Sequence, residues 1–211
     1  MDMHTVMQKL SEKRPIFRLE PEFQLALAHE IHSLYPLAKV GLEGQPLDLN
    51  GQLLLEKQGQ SIDIFFWLEN HLYIIELKYR TEELSTTVEG EEFYLKKDGE
   101  KNNARDGFYK DISRIEKAAR YRNFKEGYAI FLTNAPHYWD KKEDGFSLHE
   151  GAKIKGTHKW LSSNTGLSQR KEIIFNKDYS VKWEKYSEVK PQDCIGPAKN
   201  CSFKYALIVV N

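Results

Sequence analysis

The sequence predicts an α/β domain in which a mixed central β-sheet is flanked by helices. Three observations carry that expectation. Phe23, Leu27, Ile31 and Leu34 recur at helical spacing ahead of Pro36. The stretch "SIDIFFWLENHLYIIELKYR", residues 61–80, holds two runs of β-branched and aromatic residues around a short polar centre. A second periodic segment, "DGFYKDISRIEKAARYR", leads into "GYAIFLTN", a continuous apolar run of the kind found in strands buried on both faces.

Each element has its own signal. After a polar lead-in, "LEPEFQLALAHEIHSLYP" reads as a helix with Pro21 in its first turn and Pro36 closing it. "AKVGLEG" reads as a short strand, and Gly, Pro and Asn punctuation follows it. Residues 61–80 then supply two strands. Residues 81–106 are polar, contain Gly90 and Gly99, and show little periodicity beyond "EFYLK", so they read as a long loop of the kind that is a lid, a binding loop or a disordered segment. In the second helix Phe108, Ile112, Ile115 and Ala119 are expected to point inward. "KEIIFNKDYSVKWEKYS" reads as a hairpin turning near Asn176–Asp178, and "FKYALIVV" as the last strand. The expected organisation is a single domain, 1–211, with a core over about 18–135 and a C-terminal β-rich extension, 136–211, packed on it.

Composition narrows the functional classes. The 211 residues are 40% hydrophobic and 29% charged, an ordinary globular balance. Lys+Arg and Asp+Glu both total 31, which argues against a simple electrostatic binder and leaves only a local basic face open. No apolar run approaches the roughly 18 residues of a membrane span, so no membrane partner is expected. The opening "MDMHTVMQKLSEKRP" is too polar for a secretory signal. Cys194 and Cys201 fit neither a zinc spacing nor a disulfide framework, and read as reduced thiols of a cytoplasmic protein.

Residues 61–80 pose the chemical question, because Asp63, Glu76 and Lys78 sit among bulky apolar residues and unpaired buried charge is costly. If Glu69-Asn70 forms the hairpin loop, Asp63 lies directly across from Glu76, with Cβ atoms about 4.5–5.5 Å apart. Period-two alternation puts Lys78 on the same face. Two acids so close repel unless a proton or cation lies between them. An oxygen-rich site without Cys or His suits Mg²⁺, above all where substrate phosphates complete its shell. Glu20 falls in line with the apolar stripe of the first helix and could join this patch; its alternative is an acid favoured by the helix dipole. The plainer alternative for the cluster is an Asp–Lys–Glu ion network on an edge strand, against which the apolar residues on both faces argue.

Asp63, then Glu76-Leu77-Lys78 on the following strand, after a Glu-bearing helix, resembles the PD-(D/E)XK nuclease superfamily, the restriction-endonuclease-like fold. The likeness covers residues 18 to about 135 in element order. Ile62 stands where the family pattern has proline. "FYKDISRIEK", "GYAIFLTN" and "FSLHEG" look like an uncharacterised bacterial nuclease branch of that superfamily. The resemblance implies Mg²⁺-dependent hydrolysis of phosphodiester bonds, with Mn²⁺ as a substitute ion and DNA ahead of RNA as substrate. Asp63, Glu76 and the backbone carbonyl of Leu77 would ligate the ion. Lys78 would orient or deprotonate the attacking water, or stabilise charge on the phosphate, and Glu20 would be an outer ligand or water-orienting base.

A nuclease must also hold its substrate. Lys96, Lys97, Lys101 and Arg105 in the long loop, with Lys110, Arg114, Lys117 and Tyr121 on the helix face opposite the inward one, form a candidate phosphate-gripping surface. Their alternative is ordinary solvation, with Glu116 and Glu126 interspersed. His149-Glu150 reads as a structural loop, and Tyr138, Trp139 and Trp160 as core more readily than as base-stacking platforms. A different functional class is a catalytically silent nucleic-acid-binding or interaction module; an unrelated α/β protein would not bring Asp63, Glu76 and Lys78 together. The sequence leaves the oligomeric state open, a homodimer included.

Overall fold

The computed structural model describes residues 1–46, 61–97, 101–142, 146–162, 169–190, 193–195 and 197–211. The punctuated segment after the first strand falls mostly outside them. Helices α1 (Met3–Lys13) and α2 (Glu20–Leu34) come first, followed by β1 (Lys39–Gly44) and the hairpin β2 (Ile62–Leu68) and β3 (His71–Arg80). Next come β4 (Leu84–Val88), β5 (Glu91–Leu95), α3 (Lys101–Ala118), β6 (Phe124–Thr133) and the short α4 (His137–Asp140). The remainder is β7 (Lys153–Ile154), β8 (Thr157–Ser162), β9 (Gln169–Ile174), β10 (Tyr179–Ser180), β11 (Trp183–Glu188), β12 (Cys194–Ile195) and β13 (Ser202–Val210).

The centre is a six-stranded mixed sheet in the order β1-β2-β3-β6-β13-β11. Only β3 and β6 run parallel; the other neighbours are antiparallel. The chain is therefore α/β, as expected. β3 and β6 occupy the middle, which explains their unbroken apolar runs. Tyr73, Ile75, Leu77 and Tyr79 of β3 face one core with α1 and α2, whereas Leu72 and Ile74 face the other with α3. Alternation along β3 thus directs Glu76 and Lys78 to the α3 side.

Several elements differ from expectation. The lead-in forms α1, capped by the Asp2 carboxylate on the amides of His4 and Thr5. Its buried Met3, Val6, Met7 and Leu10 follow helical spacing, and each such side chain stabilises the fold by about 1.5–3 kcal/mol. Residues 81–106 are not one long loop: β4 and β5 form a hairpin across Glu89 and Gly90, both at positive φ, and α3 already begins at Lys101. The hairpin expected around Asn176–Asp178 does not form either. β9 pairs with β8, and β10 pairs with β7, because Glu116 of α3 takes the Asn176 and Lys177 amides and holds that segment as a corner. β13 lies inside the central sheet, so the tail completes the core rather than only covering it.

No helix among the described residues is long and apolar enough to cross a membrane.

Candidate active site

The β2–β3 hairpin turns on Glu69 and Asn70, both at positive φ, and pairs from Leu68↔His71 to Ile64↔Ile75. This is the expected register, and it stops one pair short of Asp63–Glu76. There β2 leaves the ladder. The Asp63 carboxylate accepts the Leu77 amide at 2.6 Å, while Gln24 of α2 donates to the Asp63 carbonyl at 2.6 Å. Two residues further along β3, the Tyr79 amide donates to Glu20 of α2 at 2.6 Å. Two carboxylates thus satisfy successive β3 amides that β2 no longer covers, which is why acids are tolerated at this edge of a buried strand.

On the α3 side, Glu76 is 1% exposed and meets the Arg114 guanidinium at 2.7 Å. Lys78 places its ammonium 2.7 Å from Asp111 and 2.9 Å from the Leu77 carbonyl. Arg114 also lies 3.5 Å from Asp111. Gly107, one turn before Asp111, makes room for the lysine stem: a Cβ there would stand 3.1 Å from Lys78 Cε. Gly107, Asp111 and Arg114 follow i, i+4, i+7 spacing, so one stripe of α3 covers the charges of β3.

The electrostatics follow from that packing. Burial raises the Asp63 carboxyl to about 6, against the Leu77 hydrogen bond and the Lys78 charge that lower it. Burial and then the Asp111 charge hold Glu76 well above the usual carboxylate range, with Arg114 opposing them. For Lys78, burial works against the charge, but Asp111, Glu20 and Asp63 outweigh it and the net shift is upward. Burial likewise opposes the Arg114 charge and is outweighed by Glu76 and Asp111. Asp63, Glu76 and Asp111 face two cations, Lys78 and Arg114, and the cluster carries surplus negative charge when fully ionised.

Asp63 and Glu20 thus sit on the Leu77 and Tyr79 amides, Glu76 and Lys78 point from the same end of β3 toward α3, and Asp63 feels the charges of Lys78 and Glu20. The oxygen donors Asp63, Glu76 and the Leu77 carbonyl fit a hard divalent ion in chemistry, and the acid surplus would be relieved by one. Each of these groups also carries a protein donor: the Leu77 amide, Arg114 and Lys78 respectively. Among the described residues no three His, Cys, Asp or Glu side chains are grouped to hold a metal ion by themselves.

The expected phosphate-gripping surface is corrected at several positions. Arg105 is 3% exposed, lies on α3 rather than in a loop, and stacks its guanidinium on Tyr138 at 5.1 Å. Arg114 is turned toward the sheet and paired with Glu76, because the α3 face buried in the protein is broader than the apolar stripe. Lys101 begins α3, and its side chain lies outside the described residues. Lys110 pairs with Asp106 along the helix, Lys97 lies 3.3 Å from Glu82, and Lys96 and Lys117 are exposed. Ala119 is half-buried, and Tyr138 and Trp139 are core residues. Glu150 accepts the Trp183 amide at 2.9 Å and His149 contacts Ser147 at 2.7 Å, a structural loop as read.

Sequence reasoning missed Asp111, Gln24 and Gly107. Asp111 had a signal: it stands three residues after Phe108 and four before Ile115, inside the apolar stripe. Comparison with known proteins finds no matching family model, no matching curated relative and no matching solved structure.

Proposed function

We propose that the chain is a divalent-metal-dependent nuclease of the PD-(D/E)XK type that hydrolyses phosphodiester bonds of DNA, with RNA as the second substrate class. The observation that supports this reading is that Asp63, Glu76 and Lys78 lie at the same end of the central strand β3 within electrostatic reach of one another, with Glu20 of α2 on the Tyr79 amide beside them. Asp63, Glu76 and the Leu77 carbonyl would hold Mg²⁺ or Mn²⁺, which supplies Lewis-acid polarisation of the phosphoryl oxygen and a more acidic bound water. Lys78, kept charged by Asp111, stabilises the negative charge that builds on the phosphate rather than removing a proton from water. Gln24 fixes the backbone that presents Asp63, and Glu20, held by the Tyr79 amide and feeling the charges of Asp63 and Lys78, would orient a water.

A catalytically silent nucleic-acid-binding or interaction module is the second reading. What favours it is the internal pairing of the same charges, Lys78 with Asp111 and Glu76 with Arg114, which answers the cost of burying them without any ion. One experiment separates the two. Supercoiled and linear DNA and single-stranded RNA are incubated with the purified chain in Mg²⁺ or Mn²⁺, with Lys78→Ala and Asp63→Ala alongside. Cleavage by the native chain and by neither variant supports the nuclease. Cleavage that survives in both variants, or none with any substrate, overturns it.

A further inference from the structure

We propose that Arg114 is a built-in counter-cation for Glu76 with which a divalent ion must compete, so that this arginine sets the ion affinity of the site. The inference rests on the metal-dependent reading above and concerns how that site is regulated.

Glu76 cannot stand alone, since at 1% exposure an ionised carboxylate needs a positive partner in contact. Arg114 is that partner, with Nη1 on Glu76 Oε1 at 2.7 Å. The same guanidinium reaches the Ser61 carbonyl at 3.3 Å and Asp111 at 3.5 Å, so it is held where the two strands and α3 meet. Arg114 differs from Lys78 in one respect that matters here. Lys78 is 17% exposed and boxed in by Asp111, the Leu77 carbonyl and Gly107, whereas Arg114 is 27% exposed at the outer side of the cluster. A guanidinium on a flexible stem can leave toward water without opening the core.

A divalent ion on Glu76 and a guanidinium on the same carboxylate repel each other at short range, and Glu76 does not need both. Occupation by one therefore weakens the other, and by the same factor in both directions. Asp111 stays behind as an anchor for the displaced arginine. The guanidinium, still tied to Asp111, then presents its remaining planar donors at the rim of the site, where they suit a phosphate.

The test is Mn²⁺ binding to the full chain, followed by electron paramagnetic resonance of the free ion and by the rise in melting temperature with added Mn²⁺. Arg114→Gln removes the competing charge and is expected to bind Mn²⁺ about tenfold more tightly than the native chain. It should also show the larger thermal shift. Arg114→Lys retains a charge on a shorter stem and is expected to fall between the two, which keeps the idea testable if the Gln variant does not fold. Asp63→Ala in the Arg114→Gln background should abolish the gain and so locate the ion. Affinity equal to or weaker than native in the folded Arg114 variants overturns the proposal while leaving the metal site standing. Absence of Mn²⁺ binding in native and variant chains alike overturns both.

Discussion

Lys78 on β3 and Asp111 on α3 form a buried ion pair at 2.7 Å, and the pair locks the helix to the strand that carries the candidate chemistry. Asp111 is 3% exposed, so neither charge is well served by water once its partner is gone. Asp111→Ala is expected to destabilise the fold by about 3 kcal/mol, read as a lower urea midpoint with unchanged slope. An unchanged midpoint would show that the pair contributes no net stability.

The same lysine carries the activity prediction. Lys78→Met keeps most of the stem and removes the charge, so folding should survive while cleavage falls by at least about 100-fold. Circular dichroism and a DNA cleavage time course, run on the same preparation, separate the two effects. Retained cleavage at the native rate removes Lys78 from the mechanism.

Gly107 gives a sharper contrast. Alanine is favoured over glycine inside a helix by about 1 kcal/mol, but the added Cβ would stand 3.1 Å from Lys78 Cε and push the stem aside. Gly107→Ala should therefore leave stability unchanged or slightly higher and still reduce cleavage. Loss of both, or of neither, contradicts the role given to this glycine.

Asp63 makes stability depend on pH in a stated direction. Its carboxyl titrates at about 6 in the fold against 3.8 ordinarily, so the folded chain holds that proton more tightly than the unfolded chain. Ionisation above pH 6 costs stability, and the cost disappears as pH falls through about 6 toward 3.8. Asp63→Asn keeps an acceptor for the Leu77 amide and never ionises. In chelator-containing buffer it should be more stable than native at pH 7 by up to about 3 kcal/mol, and the gap should close by pH 4. Urea titrations at the two pH values measure it; a gap independent of pH contradicts the cause assigned here.

The basic residues divide into two groups with different signatures. Lys96 and Lys117 are exposed, and if they touch phosphates each alanine variant should reduce the salt dependence of DNA binding by about one unit of slope. Arg105 is buried against Tyr138, so Arg105→Ala should lower stability and leave the slope unchanged. Binding measured across a salt series, beside thermal melts, distinguishes them.

What was legible in the chain beforehand was what depends on residues close in sequence. The stripe Phe23, Leu27 and Ile31 determined α2, the two-residue loop Glu69-Asn70 between the apolar runs determined the β2–β3 register, and the run at 127–134 determined a fully buried β6. That register put Asp63 opposite Glu76, but the ladder ends at Ile64↔Ile75 and Asp63 turns to the Leu77 amide instead. The helix α1 was missed: its polar residues made it read as a lead-in although Met3, Val6, Met7 and Leu10 follow helical spacing.

What only the tertiary structure decided is which charges go inside. Arg114 looks solvated on a helical wheel and Arg105, Asp111 and Glu116 fall in or beside the apolar stripe without a visible partner, because the wheel knows only the residues of its own helix. α3 is covered on one side by β3 and β6 and on another by the segment around Asn176–Tyr179, so its buried arc is wider than that stripe. Charges enter such an arc with a partner from a distant segment: Glu76 for Arg114, Lys78 for Asp111, the Asn176 and Lys177 amides for Glu116, and the Tyr138 ring for Arg105. Local periodicity determines helices and strands; the pairing of buried charges is a property of two surfaces in contact, and no single segment contains it.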